Sequence, residues 1–355
     1  MENGFSPFAD QDAKYLQRCR QLALLGAGHV APNPMVGAVL VADDRVIGEG
    51  WHRKYREAHA EVNAVASVRP ADHHLICRAT LYVSLEPCCI VGNTPACTDL
   101  IIRERIPRVV VGSLDYTPGV DGSGVQHLRD AGVEVSVRTD VYSPTDNPAA
   151  VRNVCMAKHR PYIILKYARS QDGFMGLPGR QEWLSHPLTR RLVHKWRSEV
   201  SAILVGSGTA LIDDPALTNR LYFGSSPVRI VLDRRKRLHE KLQLMKQPPE
   251  TWVVRGSATD EGENTEMSPR ILSFGDGLNE FVRTLFARGI SSLLVEGGGE
   301  VLSSFLEAGL WDEVRLLTAE RRLHGGIPAP EPRGEVVREM CFGSDRVMIL
   351  SPLLS

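Results

Sequence analysis

With 355 residues, 43 % hydrophobic and 24 % charged, the chain is long enough for two buried cores and carries no compositional mark of disorder. Its 42 basic and 42 acidic side chains cancel. That balance excludes a protein whose main task is gripping a nucleic-acid backbone, which needs a basic face, but not one that binds a small phosphorylated ligand through a few local donors. The seven cysteines, Cys19, Cys77, Cys88, Cys89, Cys97, Cys155 and Cys341, are odd in number, and three fall within ten residues. This is the pattern of a metal or reactive site in a reducing compartment, not of a disulfide framework. Residues 1–10 have neither the basic nor the apolar part of a signal peptide, and the longest apolar runs, such as Val36 to Ala42, are strand-sized. A cytoplasmic protein without a membrane segment is expected.

In chain order, the apolar spacing predicts a helix from Ala13 to Leu25, ended by Gly26 and Gly28, then strands Val36 to Val41 and Arg45 to Glu49 joined by an Asp43-Asp44 turn. A helix from Ala58 to Val68 follows. Next come strand Thr80 to Leu85, helix Thr98 to Arg105 stopped by Pro107, strand Arg108 to Gly112, helix Val125 to Ala131 and strand Val133 to Val137. This alternation predicts a layered α/β domain over 1–146. Ser143, Pro144, Asp146, Asn147 and Pro148 break the pattern, and 147–160, with a short helix from Ala149 to Lys158, reads as a linker. A second α/β domain over 161–355 follows. Its predicted strands are Tyr162 to Ala168, Ala202 to Gly206, Val228 to Asp233, Thr251 to Arg255, Leu293 to Glu296 and Glu313 to Ala319, and its helices are Thr189 to Glu199, Leu278 to Ala287 and Val301 to Ala308. Arg255 to Pro269 is polar and glycine-containing and reads as a surface loop.

The sharpest chemical signal is His59-Ala60-Glu61, followed by Glu86-Pro87-Cys88 and Cys97. Zinc favours Cys sulfur and His nitrogen in a tetrahedral site, and catalytic sites leave one position open. H-x-E recurs by chance, and buried free cysteines are common as small hydrophobes. In this order, with Cys88 after a strand and Cys97 before a helix, His59, Cys88 and Cys97 read as zinc ligands. Glu61 then reads as a non-ligating proton carrier, the signature of hydrolytic nucleobase deaminases. Cys89 competes with Cys88 but lacks the preceding proline.

The chain resembles the bifunctional deaminase/reductase family of riboflavin biosynthesis. In the first half the resemblance rests on Pro32-Asn33-Pro34-Met35-Val36-Gly37, Gly50-Trp51-His52, His59-Ala60-Glu61-Val62-Asn63-Ala64, and Leu85-Glu86-Pro87-Cys88 with Gly92, Thr94, Pro95 and Cys97. In the second half it rests on Lys166, Ser170, Asp172-Gly173, Trp183, Gly206, Gly208-Thr209, Asp213-Asp214-Pro215-Ala216-Leu217-Thr218 with Arg220, and Val295-Glu296-Gly297-Gly298. The resemblance implies a cytidine-deaminase-like three-layer α/β domain followed by a dihydrofolate-reductase-like domain. The first would deaminate 2,5-diamino-6-ribosylamino-4(3H)-pyrimidinone 5′-phosphate with zinc; the second would use NADPH to reduce the ribosyl chain to ribityl. It further implies that Asn33 and His52 hold the pyrimidine. Ala168, Trp183, Thr209, Asp213, Gly297, Gly298 and Gly299 would contact the dinucleotide, and Arg197, Leu217, Arg220 and Glu296 the reductase substrate. The role of Lys166 stays open. A homo-oligomer with a small-molecule pyrimidine substrate is implied, without nucleic acid or membrane partners.

Departures from the family cluster around the substrate. Ile90 and Asn93 stand where a histidine and a basic residue are usual, Asp115-Tyr116-Thr117-Pro118 where Asp-Pro-Asn-Pro is, Gln181 and Arg234 where small residues are, and Ala319-Glu320-Arg321 where Ala-Pro-Lys is. Losing one charge-assisted contact costs roughly 1.5–3 kcal/mol. Three readings therefore stand side by side: an ordinary riboflavin-pathway enzyme, a diverged deaminase of an azapteridine (toxoflavin-like) pathway with an altered or silent reductase half, and a non-catalytic binding protein that keeps zinc for structure. The retained Glu61 argues against the last. If Asn93 marks a changed substrate, the dephosphorylated pyrimidine is deaminated at least as fast as the phosphorylated one at equal concentration; a strong preference for the phosphate form in an ammonia-release assay rejects that change.

Overall fold

The computed structural model describes residues 7–90, 95–256 and 270–353. The loop expected between Arg255 and Pro269 lies outside the described residues from 257 onward. The chain divides into two compact units, Met1–Lys158 and His159–Ser355. The helix within the stretch read as a linker clusters with the first unit. All seven cysteines are free. Among the described residues no helix is long and apolar enough to cross a membrane.

The first unit runs α1 (Pro7–Ala23), β1 (Gly37–Ala42), β2 (Arg45–Trp51), α2 (Ala60–Ala66), β3 (Thr80–Val83), α3 (Cys97–Arg103), β4 (Arg108–Val111), α4 (Ser123–Asp130), β5 (Glu134–Val137) and α5 (Ala150–Lys158). Its five strands lie in the order β2-β1-β3-β4-β5, with β1 antiparallel to β2 and β3 and the rest parallel. Successive residues of a strand face opposite sides, and β1 is buried throughout. Ala38, Leu40 and Ala42 pack with Ala60, Ala64, Ile101 and Leu128 of α2, α3 and α4, whereas Val39 and Val41 pack with Leu16, Cys19 and Leu22 of α1. The result is the expected three-layer sandwich.

The layer on the α2 side is unusually tight. A Cβ on Gly50 would lie 2.2 Å from the Ala64 nitrogen and 2.4 Å from the Ala60 oxygen, and one on Gly48 would lie 2.4 Å from the Ala64 oxygen. Two glycines on β2 therefore let the helix backbone rest directly on the strand. Asn63 secures the contact by donating from Nδ2 to the Trp51 and Ala58 carbonyls, at 2.8 and 3.2 Å.

The second unit runs β6 (Tyr162–Arg169), β7 (Phe174–Gly176), α6 (Pro187–Ser198), β8 (Ala202–Gly206), α7 (Ser207–Asp213), β9 (Val228–Leu232), α8 (Gln243–Lys246), β10 (Thr251–Arg255), β11 (Arg270–Ser273), α9 (Leu278–Ala287), β12 (Ser292–Gly297), α10 (Gly299–Glu307), β13 (Glu313–Thr318), β14 (Ile327–Pro328), β15 (Gly334–Phe342) and β16 (Asp345–Pro352). Nine strands form one sheet in the order β11-β10-β9-β8-β12-β6-β13-β16-β15, parallel as far as β13 and closed by the antiparallel β16. Every predicted strand and helix of this half is present. The β15–β16 hairpin and the short elements β7, α7, α8, β11 and β14 lie outside the predicted set. β15 alternates poorly between buried and exposed positions, and β11 has four residues, too few for a periodic signal.

Substituting Gly50→Ala pushes α2, and with it His59 and Glu61, off β2. The expected loss is roughly 1–3 kcal/mol of stability together with reduced metal content of the purified protein. Unaltered urea midpoint and metal stoichiometry in this variant contradict the close-approach argument.

Candidate functional site

In the first unit the fold brings the sequence-predicted ligands together. His59 is the N-cap of α2 with an extended backbone (φ −70°, ψ 166°), and Glu61 sits in that helix's first turn. Cys97 is the first residue of α3, and its backbone N–H donates to Cys88 Sγ at 3.4 Å. His59 Nδ1 lies 3.6 Å from Cys88 Sγ and 3.3 Å from Cys97 Sγ, and one donor atom from each residue lies within 4.8 Å of the others. A tetrahedral zinc with ordinary bond lengths separates a sulfur and a nitrogen ligand by about 3.6 Å, so the donor set and its spacing fit that ion. Cys89 stands apart, with its thiol 3.9 Å from the Gly119 oxygen.

The electrostatics suit the same chemistry. The contact with Cys97, opposed by burial and aided by His59, pulls Cys88 below the ordinary thiol range, while that contact and burial push Cys97 up. The pair therefore gives up a first proton readily, and a thiolate is the form zinc takes. Glu61 is 3 % exposed; burial and the Cys88 charge raise its carboxyl above the ordinary range, as a proton carrier requires.

Asn33 and His52 form a relay beside the metal ligands. His52 Nδ1 is 3.1 Å from the Ala58 carbonyl, which only accepts, so Nδ1 carries the proton. His52 Nε2 then accepts from Asn33 Nδ2 at 3.2 Å. Burial lowers the His52 pKa, which favours this neutral form. Both His52 nitrogens are engaged within the protein, and the Nε2 contact fixes the Asn33 amide with Oδ1 as its acceptor side. The His52 and His59 rings meet edge to face at 5.5 Å.

Glu86 does more than precede Cys88. Its buried carboxylate accepts backbone N–H groups from Asp115 (3.2 Å), Gly122 (3.0 Å) and Val125 (3.1 Å), tying the segment after β4 to the Cys88 loop. In the sequence this residue was visible only as part of a motif, because its partners lie about thirty to forty residues away. Ile90 is exposed; Asn93, Gly92 and Thr94 lie outside the described residues.

In the second unit one cavity of about 2100 Å³ is lined by every residue assigned from the resemblance: Ala168, Trp183, Arg197, Thr209, Asp213, Leu217, Arg220, Glu296 and the glycines 297–299. It opens at the carboxyl ends of the parallel strands, the usual ligand position in such sheets. At its floor Arg197 Nε and Nη2 each donate to a Glu296 oxygen at 2.8 Å, and Lys166 Nζ is 3.6 Å from Oε2. Burial works against the Glu296 charge, but Arg197 and Lys166 prevail and hold it down to about 2. Arg197 also donates to the Thr218 carbonyl at 3.2 Å. The fully buried Arg229, absent from the sequence reading, donates to the Ala216 carbonyl at 3.2 Å. Together they hold Leu217 at φ 50°.

Trp183 is 59 % exposed, with the Arg190 guanidinium 5.3 Å over its ring, and so borders the cavity instead of packing in the core. Arg234, read as a solvated residue, is exposed but lies 5.3 Å over Phe274 at the cavity wall. Gly298 has φ +80° and is followed by the N-terminus of α10, while Thr209 packs against Gly297. Free N–H groups at helix starts suit a dinucleotide's phosphates.

Two family descriptions match: the cytidine and deoxycytidylate deaminase zinc-binding region over residues 9–113 and the RibD C-terminal domain over 161–329. The riboflavin biosynthesis protein RibD of Aquifex aeolicus is 36 % identical over 326 residues, covering 89 % of each chain. That of Escherichia coli is 34 % identical over 334 residues, covering 88 % of this chain and 89 % of its own. The chain belongs to the RibD family. A Thermotoga maritima structure described as a diaminohydroxyphosphoribosylaminopyrimidine deaminase/5-amino-6-(5-phosphoribosylamino)uracil reductase matches 97 % of this chain and 99 % of its own at 35 % identity, with a TM-score of 0.85. Acinetobacter baumannii RibD matches with the same coverage at 30 % identity and a TM-score of 0.83. The RibD arrangement of a zinc deaminase domain followed by a reductase domain therefore holds for the whole chain.

Because Glu296 is depressed from its ordinary 4.5 to about 2, its ion pair contributes stability that is complete above pH 4.5 and is lost as pH falls toward 2. Glu296→Gln is expected to destabilise by about 3–5 kcal/mol at pH 7, with the gap to the parent closing as pH drops from 5 to 2. Denaturant titrations across that range check it; a gap independent of pH contradicts the ionised pair.

Proposed function

We propose that the chain performs two consecutive steps on one pyrimidine: hydrolytic removal of the 2-amino group of 2,5-diamino-6-ribosylamino-4(3H)-pyrimidinone 5′-phosphate, then NADPH-dependent reduction of the ribosyl chain to ribityl. The observation that carries the first step is the 3.3 and 3.6 Å spacing of His59 Nδ1 from the two sulfurs, beside a buried Glu61. His59, Cys88 and Cys97 would hold zinc, whose chemistry is to make water nucleophilic at neutral pH. Glu61 takes a proton from the attacking water, passes it to the ring and delivers one to the departing amine, so that ammonia leaves. Asn33, held by His52, offers Oδ1 to an amino group of the pyrimidine and fixes the ring's orientation.

For the second step, the convergence of Arg197, Leu217, Arg220 and Glu296 in one cavity with Trp183, Thr209, Asp213 and the glycines 297–299 favours a working reductase half over a silent one. NADPH supplies hydride when bound. Thr209, Gly298 and the start of α10 present N–H and hydroxyl donors for its phosphates, and Ala168, Trp183 and Asp213 border the remainder. Arg197 and Glu296 would meet the ribose chain. A cytoplasmic location and a homo-oligomer accompany this reading on the family resemblance.

Glu61→Gln is expected to lower ammonia release by roughly 10²–10⁴-fold, while zinc content by atomic absorption stays at the parent's level. Parental turnover in that variant removes Glu61 from the reaction.

A further inference from the structure

His194 lies on α6 three residues before Arg197, so the two share a helix face. It is 5 % exposed and lines the cavity of the second unit. Its Nδ1 accepts the Arg220 backbone N–H at 3.1 Å. A backbone nitrogen only donates, so Nδ1 is unprotonated and a neutral ring carries its hydrogen on Nε2. Among the described residues Nε2 has no protein partner. Burial, with Arg197 and Arg220 nearby, holds the imidazole down to about 4, so the neutral tautomer persists at physiological pH. The ring faces three cations, Lys166, Arg197 and Arg220, against one carboxylate, Glu296. That imbalance favours an anionic ligand, and Nε2–H is a donor left available to one on the cavity wall.

We propose that His194 is a further binding residue of the reductase cavity, its Nε2–H donating to an anionic oxygen of a sugar phosphate. For the reductase substrate this rests on the proposed function; the anion contact does not. A merely structural His194 would act through Nδ1, by holding the Arg220 backbone. The two roles separate by substitution. Asn places an acceptor near the Nδ1 position and lacks the outer donor. Gln places a donor near the Nε2 position and lacks the inner acceptor. Phe keeps neither.

Ribose 5-phosphate is titrated into the full chain by calorimetry, and NADPH oxidation is followed with 5-amino-6-(5-phosphoribosylamino)uracil. Removing a donor to a charged group is expected to weaken binding about 10- to 100-fold. His194→Asn and His194→Phe should therefore bind ribose 5-phosphate that much more weakly and raise KM to a similar degree, with kcat within a few-fold of the parent. His194→Gln should stay near the parent in both. If Asn rescues and Gln does not, if all four proteins bind alike, or if the parent fails to bind ribose 5-phosphate, the proposal is overturned. Should the parent oxidise no NADPH while the binding order holds, the reductase reading fails and the anion contact stands.

Discussion

One imidazole nitrogen facing two sulfurs at tetrahedral spacing is the constraint around which the first unit is arranged. His59 reaches that position only because α2 rests on β2 with no side chain between them, and Gly48 and Gly50 are what permit it. The two sulfurs arrive from elsewhere. Cys88 follows the loop after β3, and Cys97 opens α3 and caps the Cys88 sulfur with its own backbone N–H. His59 and Cys97 sit at the starts of α2 and α3, and Cys88 on the loop after β3, so three separately packed segments converge on one point.

Polar contacts beside His59 and Cys88 support this centre. His52, fixed as one tautomer by a backbone carbonyl, aims Asn33. Glu86 gathers three backbone N–H groups from the segment after β4 and so ties that segment to the loop that carries Cys88. Both are buried polar groups with their hydrogen-bonding capacity met inside the protein, the condition under which such networks specify one arrangement instead of destabilising it.

The second unit solves a different problem by similar means. Parallel strands β8, β12 and β6 end at one edge, which places α7, α10 and the ion pair of Arg197 with Glu296 around a single cavity. The pair is buried and bidentate, and its second role is mechanical: Arg197 and Arg229 pin the carbonyls flanking Leu217, holding that residue in the left-handed region. Charge and backbone shape in the cavity wall therefore both depend on the Arg197 guanidinium.

The amino-acid sequence alone picked out side chains whose types and order fit a zinc site, because H-x-E and P-C…C are a specific combination, and it determined two α/β domains, because 2- and 3.6-residue periodicities are local. The reductase-side residues were legible only through the family resemblance, since glycines, an arginine and a glutamate scattered over a hundred and thirty residues carry no spacing signal. Tertiary structure alone decided the rest. The Glu86 contacts, the His52 tautomer, the buried Arg229 and the placement of His194 depend on partners distant in the chain. The β15–β16 hairpin, with its weak alternation, exists because β13 offers it an edge to pair with. Periodicity records which face of an element is buried; it does not record which other element buries it, and hydrogen bonds between such elements are decided by that second fact.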